Sequence, residues 1–394
     1  MARKLATAQT FVDGALGAVR PAWADIDLGA VTANVEALRA LVRPALFCAV
    51  VKADGYGHGA VPVARAALAG GADVLGVALV AEGGELRHAD VGAPVLVLSQ
   101  ASADELDELV AYDLDATAYT ATGVEDLGRA AQRGGRGPGR PVRVHLKVDT
   151  GMHRVGAQPA DVVALARAVS DEPSLHLASV FTHCAVADEP ADAFTAEQVR
   201  RYRAVLAEVD EAGIPVPLRH AANTAGAVAH PEARFDLVRC GIGIYGLDPS
   251  SALAGLVTLH PALSLRAEVS HVKRVAAGEG ISYGLRYRPE RDATIATVPL
   301  GYADGVPRRL SSTGGEVLVG GRRRPIAGTV TMDQLLVDCG DDAVSVGDDV
   351  VMLGEQDGEV VSVDDWADRL GTINYEIVCG ISTRVPRRYQ GGRS

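Results

Sequence analysis

Apolar residues along this chain come in short runs, and the character of the intervals changes near residue 258. Strand-like runs occupy 46–51 (LFCAVV), 74–80 (VLGVALV), 94–99 (PVLVLS), 114–120 (LDATAYT) and 142–149 (VRVHLKVD). Three more lie at 177–184 (LASVFTHC), 216–222 (VPLRHAA) and 235–240 (FDLVRC). Between them the pattern turns helical, as at 102–111 and 192–212, where Ala, Glu, Arg and Val recur at helical spacing. Eight such strand–helix units predict a (β/α)8 TIM-type barrel. An open doubly wound sheet competes, but the glycines of GYGHG after the first run have the wrong spacing for a dinucleotide-binding turn.

Beyond residue 258 the helical intervals thin out. Alternating runs at 263–275, 293–300, 326–338 and 346–353 are joined by Gly- and Asp-rich turns, which predicts a mostly β domain. The fold class expected is therefore α/β: a barrel over 21–258 followed by a β-strand domain over 259–394, with residues 1–20 an N-terminal extension packing on the latter. The polar loop 133–140 reads as a surface turn. The run Arg322-Arg323-Arg324, after two glycines, reads as a solvated hairpin turn in preference to an anion site.

Composition narrows the partners. The chain has 394 residues, is 48% hydrophobic and carries a net charge of −12. That charge argues against nucleic acid or an anionic membrane surface. Five scattered cysteines, with no CxxC pair, predict free thiols in a reducing, cytoplasmic compartment and no metal site. No continuous apolar stretch follows Arg3 and Lys4, so a signal peptide is not expected, nor is a membrane span.

The lysines carry the first chemical signal. There are four, Lys4, Lys52, Lys147 and Lys273, and Arg supplies the remaining side-chain cations apart from histidine. A guanidinium is permanently protonated and is no nucleophile, so a retained lysine points to a need for an amine. Lys4 and Lys273 are expected at the surface; Lys52 and Lys147 end or interrupt buried runs. Barrel active sites gather at the C-terminal ends of the strands. Lys52 falls there, as do Asp149 to Arg154, His183, Asn223-Thr224 and Arg239 to Gly243. The Gly-rich turn after the eighth run offers backbone N–H groups to a phosphate. A lysine able to form a Schiff base opposite such a turn suggests pyridoxal 5'-phosphate (PLP), with an aldolase-type Schiff-base enzyme as the rival.

These residues sit inside longer matches. AVVKADGYGHGA (49–60), LKVDTGMHRVG (146–156), FTHCAVAD (181–188), HAANTAG (220–226) and VRCGIGIYG (238–246) are joined by GISYG (280–284), PLGYADG (299–305), VTMDQ (330–334) and NYEIVCGISTRVPR (374–387). On these stretches, in this order, the chain resembles the PLP-dependent alanine racemases along nearly its whole length. The resemblance implies a homodimer of barrel-plus-β subunits with shared active sites, which interconverts L- and D-alanine and supplies D-alanine for peptidoglycan.

By the same resemblance Lys52 binds PLP as a Schiff base and acts as one acid–base group. Tyr283, reaching in from the partner subunit, is the other. Arg239 faces the pyridine nitrogen. Tyr56, Thr224, Gly241, Ile242 and Tyr375 match the phosphate-binding positions; the family commonly has Ser where this chain has Thr224. Asn223 belongs to the same cofactor-binding set. Arg154 and the Met332 backbone match the substrate-carboxylate positions, His183 stands near the ring and Tyr302 lines the entry. Lys147 matches a lysine that is carbamylated in relatives; an ion pair with Asp149 is the plainer alternative.

Three rival functions compete with this reading. Single-barrel PLP-binding proteins that do not racemise lack the second domain, and hence Tyr283 and Met332. PLP decarboxylases of the same plan match the nine stretches less well. A racemase of larger amino acids needs a wider entry than Tyr302 and Tyr375 suggest.

Overall fold

The computed structural model describes residues 20–392, which divide into two compact units, one over 29–261 and one joining 20–28 to 262–392. Lys4 and most of the expected N-terminal extension lie outside the described residues.

The first unit is an eight-stranded parallel barrel. Its strands are β2 (Leu46–Val50), β3 (Val74–Val77), β4 (Val95–Val97), β5 (Ala116–Ala118), β6 (Val142–Lys147), β7 (Leu175–Phe181), β8 (Leu218–His220) and β9 (Leu237–Cys240). All eight expected runs are strands. Parallel strands covered by helices are buried on both faces, which is why they read as continuous apolar runs; Phe47, Cys48 and Ala49 are fully buried. Two four-stranded ladders form, β4-β3-β2-β9 and β5-β6-β7-β8. They close on each other at one seam through a parallel bridge from Leu96 to Asp115. At the other seam the N–H of Arg239 donates to the Ala222 carbonyl at 3.0 Å.

The second unit is built on strands. β1 (Ala22–Asp27) lies between β10 (Leu263–Glu268) and β18 (Arg387–Gln390), antiparallel to the first and parallel to the second. The sequence placed residues 21–28 at the start of the barrel; pairing of β1 with strands near the far end of the chain draws them into the β unit. β11 (His271–Val275), β12 (Ala293–Val298) and β15 (Leu335–Asp338) make a three-stranded sheet. β13 (Glu316–Val319), β14 (Arg322–Pro325), β16 (Asp349–Gln356) and β17 (Glu359–Val361) extend the sheet that contains β1.

The run expected at 263–275 is thus two strands. Gly320 and Gly321, at φ 59 and 68, form the tight turn of the β13–β14 hairpin. The three arginines expected in that turn are on β14 instead. Arg322 and Arg324 pair with Asp342, while Arg323 pairs with Glu316, Glu359 and Asp365. Among the described residues no helix is long and apolar enough to cross a membrane.

Candidate active site

β2 ends at Val50, and the backbone then does something unusual. Ala53, Asp54, Gly55, Tyr56 and Gly57 all have positive φ, between 51 and 80°, giving one left-handed turn directly after Lys52. Each non-glycine residue held there costs about 1–2 kcal/mol, so surrounding bonds must fix it. The carboxylate of Glu82 accepts from the N–H of Ala53 at 2.7 Å, and also from Ala78 at 2.7 Å and Leu79 at 3.2 Å. Asp54 accepts from Ala60 N–H at 2.9 Å. Lys52 therefore sits on a clamped turn, two residues past the strand where the sequence put it, and is half-buried.

The turn also aims Tyr56 inward. Its hydroxyl comes so close to the Gly241 backbone that a Cβ at 241 would collide with it. Gly241 N–H donates to the Thr224 hydroxyl at 3.0 Å. Ile242 opens the 3-10 turn Ile242–Tyr245. Tyr56, Thr224, Gly241 and Ile242 are thus brought together, with two hydroxyls beside a glycine-bearing turn. Asn223 caps the helix Thr224–Ala229, its side-chain oxygen accepting from Gly226 N–H at 2.9 Å.

Arg239 lies inside β9, not in the turn after it, and is only 4% exposed. Its guanidinium donates to His220 Nδ1 at 2.6 Å, to the Thr182 carbonyl at 2.8 Å, to the Ala221 carbonyl at 3.0 Å and to His183 Nδ1 at 3.3 Å. Phe181 stands beneath the mouth: its ring stacks on His220 at 4.6 Å, with Arg239 5.2 Å and Lys147 5.5 Å from its centroid.

Lys147 is 7% exposed. Among the described residues no carboxylate lies within ion-pair distance of it, so the expected pair with Asp149 is not formed. Asp149 closes its own turn, accepting from the N–H groups of Gly151 at 2.9 Å and His153 at 3.1 Å. Burial, then the charges of Arg239, Arg154 and Lys52, bring the Lys147 amine down to about 8, against a smaller upward pull from Asp149. Burial and the same cations, Lys147 included, hold His183 well below the ordinary histidine range, so its imidazole is neutral near pH 7. Arg154 is exposed on the loop after β6. In a chain of net charge −12, the barrel mouth gathers Lys52, Lys147, Arg154 and Arg239, an arrangement that attracts an anion. An amine, paired hydroxyls, a glycine turn and surplus positive charge fit a ligand that carries both a phosphate and an aldehyde.

The remaining candidates belong to the β unit. Tyr283 lies in a hairpin with Ser282 and Leu285 both at positive φ, 61 and 49°. The Thr329 hydroxyl donates to the Tyr283 carbonyl at 2.8 Å. Tyr302 N–H donates to Thr331 at 2.9 Å, and Ala303 N–H to the Met332 carbonyl at 3.0 Å. A Cβ at Gly301 would strike that same Met332 carbonyl. These segments form one edge on which Tyr283 is 72% exposed, Leu285 55%, Met332 52% and Tyr302 42%. The buried Asp304 accepts from the Gly301 N–H at 2.9 Å and pairs with Arg20 and Arg384. Tyr375 is half-buried in the helix Asn374–Cys379.

Sequence reasoning passed over Glu82 and Gln198. Glu82 has no local signal, since the residue it caps with is Leu79. Gln198 is fully buried and ties the Ala185 N–H, the His183 carbonyl and Thr150 together. A signal for it was present: a lone amide on the apolar face that Thr195, Val199, Tyr202 and Val205 define in the helix Phe194–Glu211.

An eight-stranded α/β barrel with a lysine-bearing cationic mouth, in one chain with a β unit that presents an aromatic edge, defines a two-domain barrel class. Family models for the alanine racemase N-terminal domain and C-terminal domain match residues 26–249 and 262–389. The alanine racemase of Symbiobacterium thermophilum is 49% identical over 95% of this chain and 99% of its own length. That of Thermobifida fusca is 45% identical over 93% and 98%. Among solved structures, an alanine racemase from Streptomyces lavendulae superposes with a TM-score of 0.89 at 40% identity, covering 95% of this chain and 98% of that one. One from E. faecalis gives 0.88 at 41%, covering 94% and 98%. The chain belongs to the alanine racemase family.

Proposed function

We propose that this protein interconverts L- and D-alanine, using PLP held at the barrel mouth, and works as a homodimer in the cytoplasm to supply D-alanine for peptidoglycan. The observation that carries the reading is the clustering of Lys52 with Lys147, Arg154, Arg239 and a neutral His183, in a chain of this family. PLP, when bound, supplies a conjugated ring that takes up negative charge from the substrate α-carbon.

The roles of the residues follow from their surroundings. Lys52 supplies the amine that holds the cofactor and, once freed, moves a proton at one face of the α-carbon. Its clamped turn fixes the position of that amine. Tyr56, Thr224, Gly241, Ile242 and Tyr375 bind the phosphate, and Asn223 contributes by capping the helix that carries Thr224. Arg239 gives up no proton readily, so it keeps the ring nitrogen unprotonated and moderates charge uptake there. His183 flanks the ring. Arg154 and the Met332 backbone bind the substrate carboxylate, and Tyr302 restricts the entry to a small side chain.

Tyr283 moves the proton on the opposite face. Its exposure, alongside Leu285, Tyr302 and Met332, supports service in the site of a second copy. The lowered Lys147 amine has a neutral fraction near pH 7 that can take up carbon dioxide with loss of a proton. The resulting carbamate turns an uncompensated buried cation into an anion that orients Arg154. The five free thiols suit a reducing cytoplasm.

The test is an amino-acid panel with PLP, read by chiral chromatography, together with subunit mixing. Alanine is expected as the best substrate. Mixing inactive Lys52→Ala and Tyr283→Phe subunits is expected to restore activity. Inertness toward every amino acid, with PLP bound, would overturn the racemase reading; failure of exchanged subunits to regain activity would overturn the shared site.

A further inference from the structure

The interior of a barrel of this kind is ordinarily filled by layers of branched apolar side chains. Here one layer is polar. Four consecutive strands, β6 to β9, and the residue leading into β5 each contribute one member: Asp115, His145, Ser179, His220 and Arg239. All five are buried, between 0 and 6% exposed. Arg239 reaches His220 Nδ1 at 2.6 Å; His220 Nε2 lies 2.9 Å from Ser179 Oγ; Ser179 Oγ lies 2.7 Å from His145 Nδ1; His145 Nε2 lies 3.2 Å from Asp115 Oδ2. Arg143, half-exposed, closes the far end on Asp115 at 3.0 Å.

The chemistry of the ends fixes the direction of the whole chain. A guanidinium has only donors, so His220 Nδ1 must carry a lone pair. The proton of a neutral His220 is then on Nε2, and Ser179 Oγ accepts it. Ser179 has one hydrogen, which goes to His145 Nδ1. That leaves His145 with its proton on Nε2, donated to Asp115, a carboxylate that only accepts. The hydrogens on His220 Nε2, Ser179 Oγ and His145 Nε2 each have one acceptor. Reversing any single bond sets two donors against each other at the Arg239–His220 contact or leaves a buried hydrogen without a partner, which is costly in a dry interior. Burial, then Arg239 and His145, push His220 far below the ordinary histidine range, in keeping with a neutral ring.

We propose that Asp115, His145, Ser179 and His220 are a positioning relay, running from Asp115 across four strands to the mouth, that locks both imidazoles as neutral Nε2–H tautomers and thereby fixes the plane of the Arg239 guanidinium. The link to the reaction rests on the reading that Arg239 faces the PLP ring; the tautomers do not. None of the four touches the substrate on this account, so each acts through Arg239.

Nitrogen-15 histidine labelling of the holoenzyme and the PLP-free protein tests the relay itself, with His145→Gln and His220→Gln used for assignment. Both rings are expected as Nε2–H in both forms. A protonated ring, or an Nδ1–H tautomer at either position, overturns the relay. Asp115→Leu and Ser179→Ala then test positioning. Each is expected to lower kcat by up to about 10²-fold with little change in KM, and to move the absorption band of the bound cofactor. Thr117→Val, a buried change on β5 outside the relay, is expected to lower stability without either effect. If the relay variants lose stability alone, with kcat and the band unchanged, the positioning role is overturned. Should Asp115→Leu fail to fold, Asp115→Asn and Ser179→Ala carry the same test. Wild-type protein with no PLP band sinks the cofactor reading and leaves the tautomer result standing.

Discussion

The barrel mouth and the edge of the β unit hold candidate residues in opposite ways. At the mouth, Arg239 is buried under donated bonds and Lys147 is buried among like charges. On the β unit, Tyr283, Met332 and Tyr302 stand out toward solvent and are fixed through their backbones. Both sets share one feature: the backbone beside the key residue is forced into positive φ, at 53–57 after Lys52 and at Ser282 and Leu285 around Tyr283. Strain of this kind persists only where the surroundings over-determine it, and it collects at functional sites. The mouth gathers its candidate residues within one chain. The edge leaves its candidates facing solvent.

The sharpest break in that comparison is at the mouth. Replacing Lys52 by Ala is expected to cut racemisation ~10⁴-fold or more, the upper end for a positioned acid–base group. Borohydride reduction of the wild type and peptide mapping should place the label on Lys52. A label on Lys273, which is exposed on β11, would remove the mouth from the chemistry.

At the edge, Tyr283→Phe is expected to cost ~10²–10⁴-fold in rate. Because the ring is 72% exposed, urea unfolding should shift by only about 0.5 kcal/mol. Overall rates fall equally in both directions, so α-hydrogen exchange in deuterated solvent must separate the two groups. D-alanine should still exchange, with retention, while L-alanine should not. Equal loss for both enantiomers, with PLP bound, would refute the assignment of one face to each group.

A smaller effect is expected from Glu82→Gln, which keeps the size of the side chain and halves its accepting capacity. We predict a fall in kcat of up to ~10²-fold through Lys52, with about 1 kcal/mol of stability lost at the helix cap. The exposed neighbour Glu85→Gln is the control. Lost stability with unchanged kcat would reduce Glu82 to a cap.

The last effect is on stability alone and concerns pH. The Lys147 amine is near 8 in the folded protein against 10.5 for the free side chain. The unfolded chain therefore binds this proton more tightly. The contribution of Lys147 to stability should be constant below about 8 and rise, by roughly 3 kcal/mol, as pH climbs toward 10.5. Comparing wild type with Lys147→Met by urea unfolding, in carbonate-free buffer at several pH values, measures this slope. Added bicarbonate should flatten it if the amine is carbamylated. A flat difference in both buffers would show that burial does not perturb the amine.

Much of the barrel was legible because its strands are buried on both faces, and a doubly buried strand writes itself into the sequence as an apolar run. Lys52 and Lys147 were legible by scarcity. The exposed edge was less so: nothing local separates Tyr283 from any hairpin tyrosine, and only the resemblance of GISYG to a family motif singled it out.

The sequence by itself determined the eight barrel strands, the change of character near 258 and the lysine that carries the proposed chemistry, because each depends on local burial or on residue type. The tertiary structure decided what depends on distant partners. β1 joins the β unit because its ladders are with residues 263–267 and 387–390, far beyond the reach of any periodicity. Glu82 meets Ala53 across 29 positions, and the polar layer takes one residue from each of four strands and one from the approach to β5. A single Asp, His or Ser within a strand carries no mark of the neighbour it will meet. Only closure of the barrel brings the five together and removes the water that would otherwise satisfy them.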